Sequence, residues 1–403
     1  MTWTRPSGRR YKPIAADPGP TPVPTPAPTP VPVPWDRAPN AEFELCELGA
    51  ERVELDLGGH LEGVAVAYET YGRLNSVRDN VVLVCHALTA DSHVARHDGG
   101  QHSAAGWWEG MVGPGLWIDT GRYFVVCANV LGGCRGTTGP RSADPSTGVR
   151  YGPRFPTITV RDMVRVQHRL LERLGVRSVA CVVGGSLGGM QALEWAIMYP
   201  EMVRRSAVIA APGKVTAQAI ALNEVQRQAI LRDPAWQGGE YEEGAGPAAG
   251  LGLARMIAMI TYQSEESMQR KFGRTAPALA DEALALRRGF EVENYLHHQG
   301  EKLVSRFDAN SYVCLLRAMD LFDPARGYGS QDEALARIRA KVLVVGVSSD
   351  ILYPVHHQWE LATALTRLGK SVRSEGLFSP WGHDSFLIEI DGLGKILTPF
   401  LES

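Results

Sequence analysis

Residues 182–196 read VVGGSLGGMQALEWA. A run of valines ends in paired glycines, a serine and a leucine follow, two more glycines come next, and the chain then continues as a helix with no polar loop between. Gly184, Ser186 and Gly188 form G-x-S-x-G across a strand, a tight turn and a helix start. In that arrangement the serine must adopt a strained backbone conformation so that its oxygen stands clear of the sheet. Side chains at the neighbouring positions would collide with the adjacent strand and helix, and glycine removes them. The helix N-terminus beneath the hydroxyl favours negative charge developing there. Ser186 is therefore read as a nucleophile, against the plainer alternative of a glycine-rich turn that only helps strand and helix pack.

Working outward, the same alternation recurs. RVELDLGG (52–59) and VAVAYETYG (64–72) alternate like two strands near a sheet edge, and NVVLVCHALT (80–89) and YFVVCANVLGG (123–133) are more continuous apolar strands. TVRDMVRVQHRLLERLGV (159–176) has amphipathic helical spacing and is closed by Gly175. SVACVVGG (178–185), RRSAVIAAP (204–212) and KVLVVGVSSD (341–350) complete the strands. Strands buried on both faces and alternating with helices indicate a mostly parallel sheet covered on both sides. Residues 213–325 read differently, as helices with no confident strand, among them TAQAIALNEVQRQAIL, GLGLARMIAMITY and EVENYLHHQGEKLVSRF. This insertion follows the serine unit and one further strand, so it would overhang the carboxyl ends of the strands, where such sheets bind ligands. It is read as a lid domain, the alternative being a stabilising appendage. Residues 41–212 and 326–403 then form the catalytic domain.

A serine hydroxyl needs a base, and on this kind of sheet the partners follow in the order serine, acid, histidine. His383, in SPWGHDSFL, lies in a glycine-bearing loop just before the last helix and is the chosen base. His297 and His298 sit inside a lid helix, and His356 and His357 open the helix after the 341–350 strand. Asp350 ends that strand and is the chosen acid; Asp320 and Asp323 close the lid and fit less well. Asp384 neighbours His383 too closely to orient its ring. The tetrahedral intermediate needs two donors, expected from the backbone N–H groups of Leu187 and of Leu88 in HALT. His86 is read as a prop for that loop. His93, His97 and His102 share one loop, but no cysteine or carboxylate completes a familiar metal set, so no metal is expected.

Composition narrows the alternatives. A net charge of −3 gives no basic field for nucleic acid, and no window of apolar residues is long enough to span a membrane. The opening MTWTRPSGRRYKP lacks an apolar stretch, so no signal peptide is expected. Six irregularly spaced cysteines, three of them (Cys85, Cys127, Cys181) in apolar runs, point to buried thiols in a reducing, cytoplasmic setting. Residues 1–40 include DPGPTPVPTPAPTPVPVP and are read as a disordered proline-rich tail: a spacer, a docking peptide or a dispensable extension.

Taken together, YETYGRLN, HALTADSHVA, GWWEGMVGPG, CANVLGGCRGTTGP, GGSLGGMQALEWA, NEVQRQAI, ARMIAMITYQS, RFDANSYVCLLRAMD, SSDILYP and GHDSFL, in this order, resemble the homoserine O-acetyltransferases of the α/β-hydrolase superfamily. The resemblance covers nearly everything after residue 45. It implies an α/β-hydrolase fold with an inserted helical lid, and acetyl transfer from acetyl-CoA to L-homoserine, a step toward methionine, with acetyl-CoA as co-substrate and no permanently bound cofactor. It implies the triad Ser186, Asp350 and His383, oxyanion donors at Leu88 and Leu187, Arg227 as the anchor for the substrate carboxylate, and Asp384 for its ammonium. Tyr262 and Arg73 are expected to be lining or structural groups, and Trp107 and Trp108 either lining or core. A homodimer through the lid helices is implied as well. Succinyl transfer, with Arg141 or Arg135 meeting a distal carboxylate, a serine acceptor, and a lidded carboxylesterase remain the alternatives.

Overall fold

In the computed structural model, which describes residues 43–49, 51–96, 105–275 and 289–403, the apolar runs pair into one eight-stranded sheet. Its strands are β1 (Glu44–Glu47), β2 (Ala65–Tyr71), β3 (Val81–Cys85), β4 (Phe124–Ala128), β5 (Val179–Gly185), β6 (Arg205–Ile209), β7 (Lys341–Val347) and β8 (Val372–Leu377). The spatial order is β1-β2-β4-β3-β5-β6-β7-β8. β2 runs antiparallel to β1 and β4, and every pair from β4 to β8 is parallel. Alternate residues of a strand face opposite sides, so Leu83 and Val182 enter one apolar cluster while Val82, Val84 and Val183 enter the other. Two dry faces explain why β3 and β5 read as unbroken apolar runs.

Two expectations are corrected. RVELDLGG does not join the sheet. Gly58 and Gly59, both at positive φ (92° and 79°), fold the chain back, and Val53–Glu54 pairs with His60–Leu61 as a small hairpin. Glu44–Glu47 takes the sheet edge instead. At the other edge β8 (VRSEGL) was not foreseen, because an edge strand that is half exposed needs no apolar run.

On the flanks, α1 (Val160–Arg173) and α2 (Leu187–Met198) pack beside β5. Between β6 and β7 the chain leaves the sheet to build the helical lid: α3 (Ala217–Leu231), α4 (Ala248–Tyr262), α5 (Glu265–Phe272), α6 (Glu291–Val304) and α7 (Ala309–Asp320). α8 (His356–Arg367) and α9 (Ile390–Glu402) complete the main layers. The expected tail, residues 1–40, and His97 and His102 lie outside the described residues.

Candidate active site

The register of the sheet brings the site together. Cys85 at the end of β3 lies beside Gly184, and Gly185 beside Ile209 at the end of β6. Ser186 follows at φ 59° and ψ −122°, a left-handed conformation that costs a non-glycine residue about 1–3 kcal/mol. It is held there by Ser186 N–H donating to Ile209 O (3.0 Å) and by Met190 N–H donating to Ser186 O (3.1 Å). A Cβ on Gly184 would stand 2.6 Å from Cys85 O, and one on Gly189 2.6 Å from the Ala211 methyl. A Cβ on Gly188 would run into Cys85 O. The crowding of glycines is thus the consequence of two backbones meeting at the turn.

Two loops deliver the histidine and the acid. Asp350 lies just past β7, where its Oδ1 accepts from Leu352 N–H (2.8 Å) and Tyr353 N–H (2.9 Å). Ser349 Oγ accepts from Gly382 N–H (2.9 Å) and donates to Ser379 O (2.6 Å), stitching the β7 loop to the loop after β8. His383 Nδ1 then donates to Asp350 Oδ2 across 2.6 Å. His383 Nε2 is buried and has no hydrogen-bond partner among the described residues. Burial is the largest influence on this ring and favours its neutral form. The charge and hydrogen bond of Asp350, with Asp384 adding, outweigh it and hold the ring above the ordinary imidazole value.

Around Ser186 and His383 lies a cavity of about 630 Å³, whose lining includes Leu88, Trp107, Arg255, Tyr262 and Asp384. Neither the Leu88 nor the Leu187 backbone N–H donates to a protein acceptor among the described residues. His86 braces the Leu88 loop: Val130 N–H donates to its Nε2 (3.0 Å), and its Nδ1 lies 2.8 Å from Ala87 O. The ring is therefore neutral, and burial lowers its pKa further. Gln191 had no signal in the sequence, yet its Nε2 reaches both His86 O (3.3 Å) and Leu187 O (3.1 Å). One amide thus ties the start of α2, with Leu187, to the loop that carries Leu88.

Arg227 is not brought to this cavity. It is 2% exposed and is taken up by Asp320 Oδ2 (2.5 Å) and Glu224 Oε2 (2.7 Å) in a pair that locks α3 to α7. Arg135, Lys302 and Arg306 line the cavity, and so does Arg255 on α4. Arg255 forms no ion pair among the described residues and lies over the Tyr262 ring at 5.5 Å. Arg255 and Tyr262 are seven residues apart, so two helical turns place both on one face, a signal present in ARMIAMITYQS. Asp384 faces them; its closest side-chain partner is Gln263 Nε2 at 3.4 Å. Burial raises the Asp384 pKa, and His383, Arg255 and Lys271 oppose the rise. Trp108 is core, its Nε1 donating to Phe386 O (2.9 Å), whereas Trp107 lines the cavity. Arg73 is absent from that lining.

Residues 80–389 match the family model of the alpha/beta hydrolase fold. The homoserine O-acetyltransferase of Carboxydothermus hydrogenoformans is 50% identical over 351 residues, 87% of this chain and 93% of that one. The chain belongs to the homoserine O-acetyltransferase family. Among solved structures, the homoserine O-acetyltransferase of Bacillus anthracis superposes with a TM-score of 0.84 at 30% identity, covering 90% of this chain and 98% of that one. Esterase E22 superposes almost as well, with a TM-score of 0.82 at 28% identity over 89% of this chain and 99% of that one. Transferase and esterase therefore share this scaffold. What separates them must lie in the contents of the cavity rather than in the sheet.

Proposed function

We propose that the protein transfers an acetyl group from acetyl-CoA to the hydroxyl of L-homoserine through an acyl-Ser186 intermediate. The observation that carries the reading is the pair of opposite charges, Arg255 and Asp384, in the cavity that holds Ser186 and His383. An amino acid brings a carboxylate and an ammonium, and a simple ester brings neither. Arg255 offers a rigid fork for the carboxylate, the role the resemblance had given to Arg227. Asp384 takes the ammonium, and its place beside His383 leaves the acceptor hydroxyl near Nε2.

In the first half-reaction His383 Nε2 takes the Ser186 proton as Oγ attacks the thioester carbon. The oxyanion is met by the Leu88 and Leu187 N–H groups, and Asp350 stabilises the charged ring. The thiolate of coenzyme A leaves with that proton. In the second half His383 deprotonates homoserine, its oxygen attacks the acyl carbon, and the product departs from a regenerated Ser186. Water competes at this step, so anchoring the acceptor at both ends is what makes transfer outrun hydrolysis.

Two further assignments accompany this reading. Val225 on α3 and Leu253 and Ile260 on α4 are exposed apolar residues, which supports a homodimer through the lid. Leu253 and Arg255 are two residues apart, or roughly 200° around the helix, so α4 turns one face to the cavity and another outward. Six free cysteines support a reducing, cytoplasmic setting, and no helix among the described residues is long and apolar enough to cross a membrane.

The test pairs acetyl-CoA and succinyl-CoA with homoserine and serine, with intact-mass detection of the acyl-enzyme. Acetyl-CoA with homoserine is expected to be fastest, and Ser186→Ala to abolish the acyl adduct. Steady hydrolysis unaffected by homoserine would favour the esterase alternative.

A further inference from the structure

A second cavity of about 390 Å³ adjoins the first, and Arg135 and Arg306 line both. Its lining also includes Arg141 and Arg150, so four arginines face two carboxylates, Glu243 and Asp308. Asp308 is committed elsewhere: it caps α7 through Ser311 N–H (2.8 Å) and accepts from Tyr241 Oη (2.8 Å). Glu243 pairs with Arg141 at 2.5 Å and is more than half exposed. Among the described residues Arg150 reaches only a carbonyl, Tyr241 O at 3.3 Å. Arg306, at the junction, donates to Thr89 O (2.7 Å), the residue after the Leu88 donor. Burial lowers the Arg306 pKa, and the like charges of Arg255 and Arg135 lower it further. Arg135 is met by Asp91 Oδ2 at 3.7 Å, so four arginines have three carboxylates about them, and cations drawn together against their own repulsion still call for an anion from outside.

We infer that this arginine-lined cavity seats the phosphates of coenzyme A, with the pantetheine arm passing Arg306 and Thr89 into the Ser186 cavity. The inference rests on the acyl-CoA reading above. The thioester carbon must reach Ser186, so the nucleotide end must lie outside the first cavity, and the adjoining one is the cationic space next to it. Planar guanidinium forks suit phosphate oxygens.

The experiment is calorimetric titration of the full chain with coenzyme A, pantetheine, 3′,5′-ADP and inorganic phosphate, on the wild type and on R141Q/R150Q. Coenzyme A is expected to bind the double variant about ten-fold or more weakly, with pantetheine binding unchanged, and 3′,5′-ADP to compete with coenzyme A in the wild type only. Pantetheine binding as tightly as coenzyme A, equal coenzyme A affinity in both proteins, or dependence on the arginines for inorganic phosphate alone would overturn the assignment. If the double variant does not fold, Glu243→Gln decides. Removing the carboxylate beside Arg141 should tighten coenzyme A about three-fold or more, and an unchanged affinity sinks the site. The two readings fail separately. Binding that needs the arginines without acylation of Ser186 by acetyl-CoA removes the transferase reading and keeps the site. Acylation of R141Q/R150Q with wild-type kcat/KM does the reverse.

Discussion

Replacing Arg255 by alanine should damage one half-reaction and spare the other. A hydrogen bond to a charged group contributes about 1.5–3 kcal/mol. Arg255 is only partly buried, so two such bonds to the homoserine carboxylate are discounted to about 2–4 kcal/mol in total. That corresponds to a loss of about 30- to 700-fold in kcat/KM for homoserine. Acylation of Ser186 by acetyl-CoA involves no carboxylate and should change by less than about three-fold. A secondary effect can be separated by pH. Arg255 is one of three cations opposing the upward shift of Asp384, so its loss should leave Asp384 more protonated, and part of the defect should recover as pH rises. The assay is single-turnover acylation followed by mass spectrometry, then deacylation on adding homoserine. Arg227→Ala is the control. It leaves Asp320 buried without its main partner, which costs about 3–5 kcal/mol of stability. It should therefore lower Tm while preserving the homoserine half-reaction of the folded fraction. Equal slowing of both halves in Arg255→Ala, or a selective homoserine defect in Arg227→Ala at normal Tm, would refute the reasoning.

The remaining expectations are briefer. Asp350→Asn keeps the acceptor for Leu352 and Tyr353 N–H but no longer favours the Nδ1–H tautomer, so acylation should fall by about four orders of magnitude with unchanged circular dichroism. His383 must be neutral to act as base and its pKa is raised, so the acylation rate should climb with pH through a midpoint above the ordinary imidazole value of about 6.5 and then level, as stopped-flow release of coenzyme A would show. Gly188→Ala drives a methyl into Cys85 O and should cost about 1–3 kcal/mol by urea denaturation. Glu194 is buried, its Oε2 unpartnered, and burial lifts its pKa to about 8. The unfolded chain ionises it near pH 4.5 and the folded chain near 8, so its contribution to stability should decline between those values by up to about 1.4 kcal/mol per pH unit. Glu194→Gln should flatten that slope in urea titrations at stepped pH.

How much of this could be read from the chain depends on what kind of physics wrote each part. Strands buried on both faces must be apolar throughout, so β3, β4, β5, β6 and β7 announced themselves. β1 and β8 lie at the edges, where half their surface is wet and polar residues are tolerated, and both went unseen. The strained turn at Ser186 and the pairing of His383 with Asp350 were legible because the turn and the two strand ends leave few places from which a side chain can reach the top of the sheet. Arg227 was misread because a charged residue on a lid helix looks the same in sequence whether it faces substrate or an acid on the next helix. Only the packing of α3 on α7, which brings Asp320 to 2.5 Å, decides between them. Gln191 is silent for the same reason: its amide meets Leu187 O at the start of its own helix and His86 O from a loop far off in sequence.

The division of labour in the cavity bears on why a hydrolase scaffold can carry out transfer. Ser186, His383, Asp350 and Asp384 all hang from the sheet, and their positions follow from its register. Arg255 and Tyr262 hang from the lid. On the proposed reading, an acceptor held at one end by Asp384 and at the other by Arg255 is therefore aligned only while α4 keeps its distance from the loop of His383. Gly382 maintains that distance: a Cβ there would stand 2.6 Å from Tyr262 O, so at this point the loop and the end of α4 meet backbone to backbone. Gly382 also has φ 74°, which side chains resist. Gly382→Ala should push the lid off the sheet by the width of a methyl. Orientation tolerates little displacement, so transfer to homoserine should drop while hydrolysis of the acyl-enzyme, which needs only water at His383, persists or rises. The ratio of O-acetylhomoserine to free acetate, read by chromatography from one reaction, measures this directly. A variant that loses both products in proportion would show that the lid acts on the serine itself rather than on the choice of acceptor.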